Sequence, residues 1–137
     1  MEKLRNVLLI LIVIVVGTAI GVLMKTWFQK AFHPEISFEK KSHNFDTLYL
    51  QENAEVYFVY QNRGNKALKI SSVKAGCGCT IPQWSQNSLK PNGKDSFKVI
   101  YNIENKGHFI KEILVYSNSD SSPHHLEISG FVPFDID

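Results

Sequence analysis

From Val7 to Met24 the chain runs VLLILIVIVVGTAIGVLM, without a charge or a strongly hydrogen-bonding side chain. A helix of that length spans about 27 Å, close to the roughly 30 Å hydrocarbon core of a bilayer. Its surface is apolar on every side, whereas a helix buried in a protein core is amphipathic. Lys3 and Arg5 precede the run, Lys25 and Lys30 follow it, and Trp27 and Phe28 fall where aromatic anchors sit in a membrane interface. The pattern predicts a tail over 1–6, a transmembrane anchor over 7–24 and a juxtamembrane linker over 25–35. A secretory signal has the same opening, and Gly17 and Ala19 would serve as the small pair before a cut. The run continues past them to Met24, which favours an uncleaved anchor. No cysteine sits at the end of the run to carry a lipid. Basic residues are balanced across it, and the terminal amine tips the orientation toward a cytoplasmic N-terminus with a periplasmic or extracellular C-terminal domain.

After Pro34 the pattern changes to alternation. Ile36 and Phe38 alternate, then Val56, Phe58 and Tyr60, then Leu68, Ile70 and Val73 in a broken version of the same period. Later come Phe97, Val99 and Tyr101, then Phe109, Ile113 and Val115, and last Leu126 and Ile128. Alternation of period two is the signature of half-buried strands. The separators NRGN at 62–65, KPNGK at 90–94, ENKG at 104–107 and SNSDSSP at 117–123 carry turn residues. No window holds an amphipathic helix. About seven or eight short strands in roughly 100 residues predict an all-β domain over 36–137, an immunoglobulin-like antiparallel β-sandwich.

Composition sharpens this picture at two points. The first 30 residues carry four basic groups and one acidic, the remainder eleven basic and twelve acidic, so the formal charge of +2 comes from the anchor flanks. A near-neutral body gives no reason to expect a nucleic-acid partner. Two cysteines exclude a disulfide-dense scaffold, and 12% aromatic residues exclude a disordered chain.

The chemically pointed feature is VKAGCGCTIP, with Cys77 and Cys79 two apart and Gly76 and Gly78 beside them. In a regular strand both sulfurs share one face, with Cα atoms about 6.5–7 Å apart, so a bridge requires the chain to bend at Gly78. Three readings stand: two buried thiols in a Gly-rich bulge, a reversible dithiol/disulfide, or a soft-metal site for copper(I). The redox reading asks for a lowered thiol pKa, to which Lys74 could contribute. His33, His43, His108, His124 and His125 show no spacing that forces convergence on a metal, and the adjacent His124 and His125 point to opposite faces of a strand. Asp95 and Glu104 fall at expected turns, where carboxylates are solvated. No nucleophile–base–orienter set and no phosphate-cradling glycine run is present.

The combination of these strings resembles the bacterial domain of unknown function 1573 family over most of residues 36–132. The matching residues are His43, Phe45 and Asp46, then Phe58, Asn62 and Gly64, then Cys77, Gly78, Cys79 and Thr80. Trp84, Pro91, Gly93, Tyr101, Gly107, Phe109 and Lys111 follow, with Ser117, Asn118, Leu126 and Gly130. The sequence departs from the pattern at Phe45-Asp46, where the family has Phe-Gly, and at Pro91-Asn92-Gly93, where it has Pro-Gly. The resemblance implies an exported, often membrane- or lipid-anchored protein whose Ig-like domain is related to ASPM/SPD-2/Hydin and pilus-chaperone-like modules. It implies no particular activity.

The expected function is a membrane-anchored, envelope-exposed Ig-like module with a protein-binding or scaffolding role and no catalysis. Its partners would be membrane lipid through the N-terminal helix and an envelope protein, with no small-molecule substrate and no cofactor. The alternative is a thiol-redox or copper-handling protein using Cys77 and Cys79.

Overall fold

The computed structural model describes residues 1–135, and the backbone alone over 29–31. The last two residues of the expected domain, 136–137, and the Lys30 side chain lie outside the described residues. The chain divides into two units, Met1–His33 and the residues from Pro34 onward.

The first unit is a helix, α1 (Glu2–Ala31). The apolar run continues as helix into the stretch expected to be linker, because Lys25–Ala31 contains neither Pro nor Gly to stop it. Thr18 and Thr26 turn their hydroxyls back onto the carbonyls of Val15 and Leu23, both at 2.9 Å, so neither polar atom faces outward unpaired. Glu2–Phe28 is long and apolar enough to cross a membrane, and a signal sequence near the N-terminus would share that character.

The second unit is a sandwich of eight strands: β1 (Ile36–Phe38), β2 (Ser42–Thr47), β3 (Glu55–Asn62), β4 (Ile70–Ala75), β5 (Thr80–Gln83), β6 (Lys94–Tyr101), β7 (Gly107–Ser117) and β8 (His124–Val132). One sheet has the order β1-β3-β6-β5 and the other β2-β8-β7-β4. The antiparallel expectation holds for every strand pair but one, since β2 runs parallel to β8. The reason lies in the connection before it. Glu39 N–H still donates to the Val59 carbonyl of β3 at 3.0 Å, while the Lys41 carbonyl accepts from Glu127 N–H of β8 at 2.9 Å. The chain therefore changes sheets across Lys40 with no turn to reverse it.

The alternating apolar residues fill the space between the sheets. Every residue of those runs is buried except Phe38, which is half-buried against Tyr60, Phe97 and His124. Phe58 and Phe97 stack at 5.7 Å within one sheet, and Tyr101 of β6 stacks on Phe109 of β7 at 3.7 Å across the two. Leu68 belongs to no strand. It pairs with Leu89 through reciprocal backbone bonds of 2.9 and 2.7 Å that join the approaches to β4 and β6.

Candidate functional site: the Cys77–Cys79 turn

β4 belongs to one sheet and β5 to the other, so the chain must cross the sandwich between Ala75 and Thr80. Cys77 and Cys79 lie in that crossing rather than in a strand. The turn brings their Cα atoms to 5.3 Å, inside the range a disulfide bridges, and the two sulfurs are bonded to each other. The buried-thiol reading is thereby corrected: both cysteines are half-buried and neither is free. Cys79 packs against the core.

The crossing is held by its backbone as well. Gly76 N–H donates to the Glu112 carbonyl at 3.4 Å, Thr80 N–H to the Cys77 carbonyl at 3.4 Å and Asn102 N–H to the Cys79 carbonyl at 2.8 Å. Gly76 and Gly78 are exposed, and a Cβ at either would meet nothing within 4 Å. Neither adopts a positive φ, so the bend at Gly78 does not depend on the conformations reserved to glycine. The Thr80 hydroxyl, on a buried residue, lies 3.9 Å from the Cys77 sulfur and 4.0 Å from the Cys79 sulfur. Lys74, expected to lower a thiol pKa, extends its ammonium over the Tyr116 ring at 5.3 Å.

The histidines stay dispersed. His43 stands edge-on to Phe45 at 4.5 Å, with burial and Lys40 lowering its pKa and Asp46 partly opposing them. His108 lies against Phe131, and His125 pairs with Glu112 at 2.7 Å. His124 is buried on the opposite face, its Nε2 2.8 Å from the Ser119 hydroxyl. His33 closes the first unit. Among the described residues no group of three or more His, Cys, Asp or Glu could hold a metal ion. Glu104 lies in a turn as expected, but Asp95 is a β6 residue that accepts the Tyr60 hydroxyl at 3.3 Å. That strand begins at Lys94, immediately after the turn glycine, which carries Asp95 into the ladder.

Asn62 makes four side-chain hydrogen bonds. Fully buried at the end of β3, it donates through Nδ2 to the carbonyls of Lys66 (2.7 Å) and Leu89 (3.0 Å). Its Oδ1 accepts from the N–H groups of Gly64 (3.0 Å) and Glu35 (3.4 Å). Its place in NRGN marked a turn, and the long-range partners were invisible in the string.

Residues 36–132 match the model of a family described as "Protein of unknown function (DUF1573)". None of the curated proteins matches the chain. Among solved structures, a protein of unknown function from Porphyromonas gingivalis W83 superposes with a TM-score of 0.63 at 12% identity, covering 74% of this chain and 48% of that one. The chain thus spans about half the length of that protein. The ASH/PapD-like domain 7 of human CEP192 gives 0.62 at 12% identity, covering 74% and 87%. The periplasmic chaperone SfaE gives 0.50 at 6% identity, covering 72% and 57%. At these identities the likeness is one of fold, a PapD-like immunoglobulin sandwich.

Proposed function

The chain belongs to the DUF1573 family over residues 36–132, and we propose that it is a non-enzymatic, membrane-anchored Ig-like module that binds another envelope protein along the free edge of β4. The observation that carries this reading is how unequally the four sheet edges are protected. β1 has three residues, and β5 has four and contains Pro82. β2 is interrupted by a register shift between Asn44 and Thr47. Short length, proline and bulges each discourage pairing with another chain. β4 has six residues, its register irregularity confined to Ile70–Ser72, and it pairs regularly with β7 through Ala75. Its outer side is thus the place where an extended segment can add as a fifth strand. The apolar α1 supports anchoring in a membrane, and on this reading the N-terminus lies in the cytoplasm and the sandwich on the periplasmic or extracellular side; SfaE, of similar fold, is named as a periplasmic chaperone.

A photo-crosslinking residue placed at exposed Ser71, in the full chain in its native envelope, should give one discrete protein adduct. The same residue at Gln83 on the β5 edge should give none. Equal labelling from both edges, or no adduct from Ser71, overturns the reading. Protease added outside the membrane should digest the sandwich and leave α1 in the pellet after alkaline extraction.

A further inference from the structure

We propose that Cys77 and Cys79 form a reversible thiol–disulfide couple that exchanges two electrons with a protein dithiol. The bridge is poorly suited to be a staple. It joins residues with a sequence separation of 2, so it removes little freedom from the unfolded chain. The crossing it spans is already fixed by the hydrogen bonds of Gly76, Thr80 and Asn102 to backbone carbonyls and by the β5–β6 ladder. Opening the bridge therefore leaves the fold its other supports.

The surroundings of the sulfurs suit exchange instead. Both cysteines are partly exposed, and Cys77 is flanked on both sides by glycines, Gly76 and Gly78, where a side chain would find open space. Backbone geometry does not demand glycine at either place, so the consequence of having it there is access. The Thr80 hydroxyl stands against both sulfurs and can donate to whichever becomes a thiolate.

The exchange runs in two steps. A thiolate of the dithiol attacks Cys77 Sγ, the sulfur not packed against the core; a mixed disulfide forms, the Cys77–Cys79 bond breaks, and its electron pair leaves on Cys79 Sγ. The donor's second thiol, deprotonated, attacks the donor sulfur of the mixed disulfide and releases Cys77 as a thiolate. Two electrons have passed to the cysteine pair, the donor has become a disulfide, and the two protons its thiols lost are taken up by Cys77 and Cys79. The reverse sequence hands the disulfide on.

The test uses the full chain in detergent micelles with dithiothreitol as the dithiol, acid quenching, and alkylation read by mass, while near-ultraviolet circular dichroism reports the fold. The native chain should be reduced with its spectrum retained, at a rate within about tenfold of the urea-unfolded chain. Gly78→Leu, which fills open space, should slow native reduction by about threefold or more and leave the unfolded rate unchanged. Thr80→Val should slow it by about threefold to tenfold, with Thr80→Ser reacting as the unsubstituted chain. Resistance to dithiothreitol until the fold is lost, or Gly78→Leu reacting as fast as the unsubstituted chain, overturns the proposal. Either result leaves the Ser71 crosslinking experiment, and the edge-binding reading, standing on its own outcome.

Discussion

Asn62 satisfies four backbone groups from three different segments with one short side chain. Truncating it would remove four hydrogen bonds at once, two to the Lys66 and Leu89 carbonyls and two from the Gly64 and Glu35 N–H groups, and leave a cavity at a fully buried position. Asn62→Ala should therefore lower unfolding stability by about 3 kcal/mol, read as a fall in urea midpoint at unchanged slope. His124 carries a pH dependence of predictable sign. Burial first, then Lys41 and His125, lower its pKa below the ordinary value, so the unfolded chain takes up the proton before the folded one. Stability should be complete above about pH 6.5 and fall as the pH drops below it toward the folded-state pKa. Unfolding midpoints at pH 7.5 and 5 should differ less in His124→Gln than in the unsubstituted chain. A remnant will persist, because His43 is shifted in the same direction.

At the scale of elements, the interrupted strand β2 shows how a local backbone choice shapes an edge. Asp46 has φ 54°, in the left-handed region, and the register shift with β8 falls around it. Asn44 supports the kink by accepting from Asp46 N–H at 3.0 Å and donating to its carboxylate at 3.2 Å. The strand also needs Gly130 opposite, where a Cβ would lie 2.9 Å from Phe109 Cζ and 3.2 Å from the Asp46 carbonyl. Asn92 in the 90–93 turn is likewise left-handed, with φ 61°. Asp and Asn are the residues that enter this region most readily after glycine. Asp46→Gly should stay within about 0.5 kcal/mol of the parent, while Asp46→Val should lose about 1–2 kcal/mol in thermal or urea unfolding. An Asp46→Val variant as stable as the parent would show that the bulge relaxes without cost.

For the whole molecule, the division into two units has a direct consequence. Among the described residues, the buried core of the sandwich is built from positions between Ile36 and Val132. A chain beginning at Pro34 should fold alone and unfold with the midpoint of the full chain in micelles, measured by tryptophan fluorescence. A lower midpoint would mean that the helix supports the sandwich. The same division separates the two kinds of apolar surface: over residues 2–28 the helix exposes its side chains, whereas the sandwich leaves out Tyr57, Ile81, Ile110 and a few others.

The sequence by itself determined the elements and their faces. Period-two alternation named Val56, Phe58, Tyr60, Phe97, Val99, Tyr101, Phe109, Ile113, Val115, Leu126 and Ile128 as buried, because one face of a strand must meet a core whatever its partners are. It determined the helix in the same way, by an apolar surface with no polar side. Tertiary structure decided what depends on residues distant in the chain. It set the parallel pairing of β2 with β8, which follows from a change of sheets at Lys40 that no periodicity records. The strand status of Asp95 and Thr80 came from pairing partners in β3 and β6. The hydrogen-bonding of Asn62 drew on Glu35 and Leu89, each 27 residues away. At Cys77 and Cys79 the sequence left three chemistries open, since two residues apart can be one face of a strand or the two ends of a turn. The passage of the chain from one sheet to the other made it a turn, and the turn brought the sulfurs together.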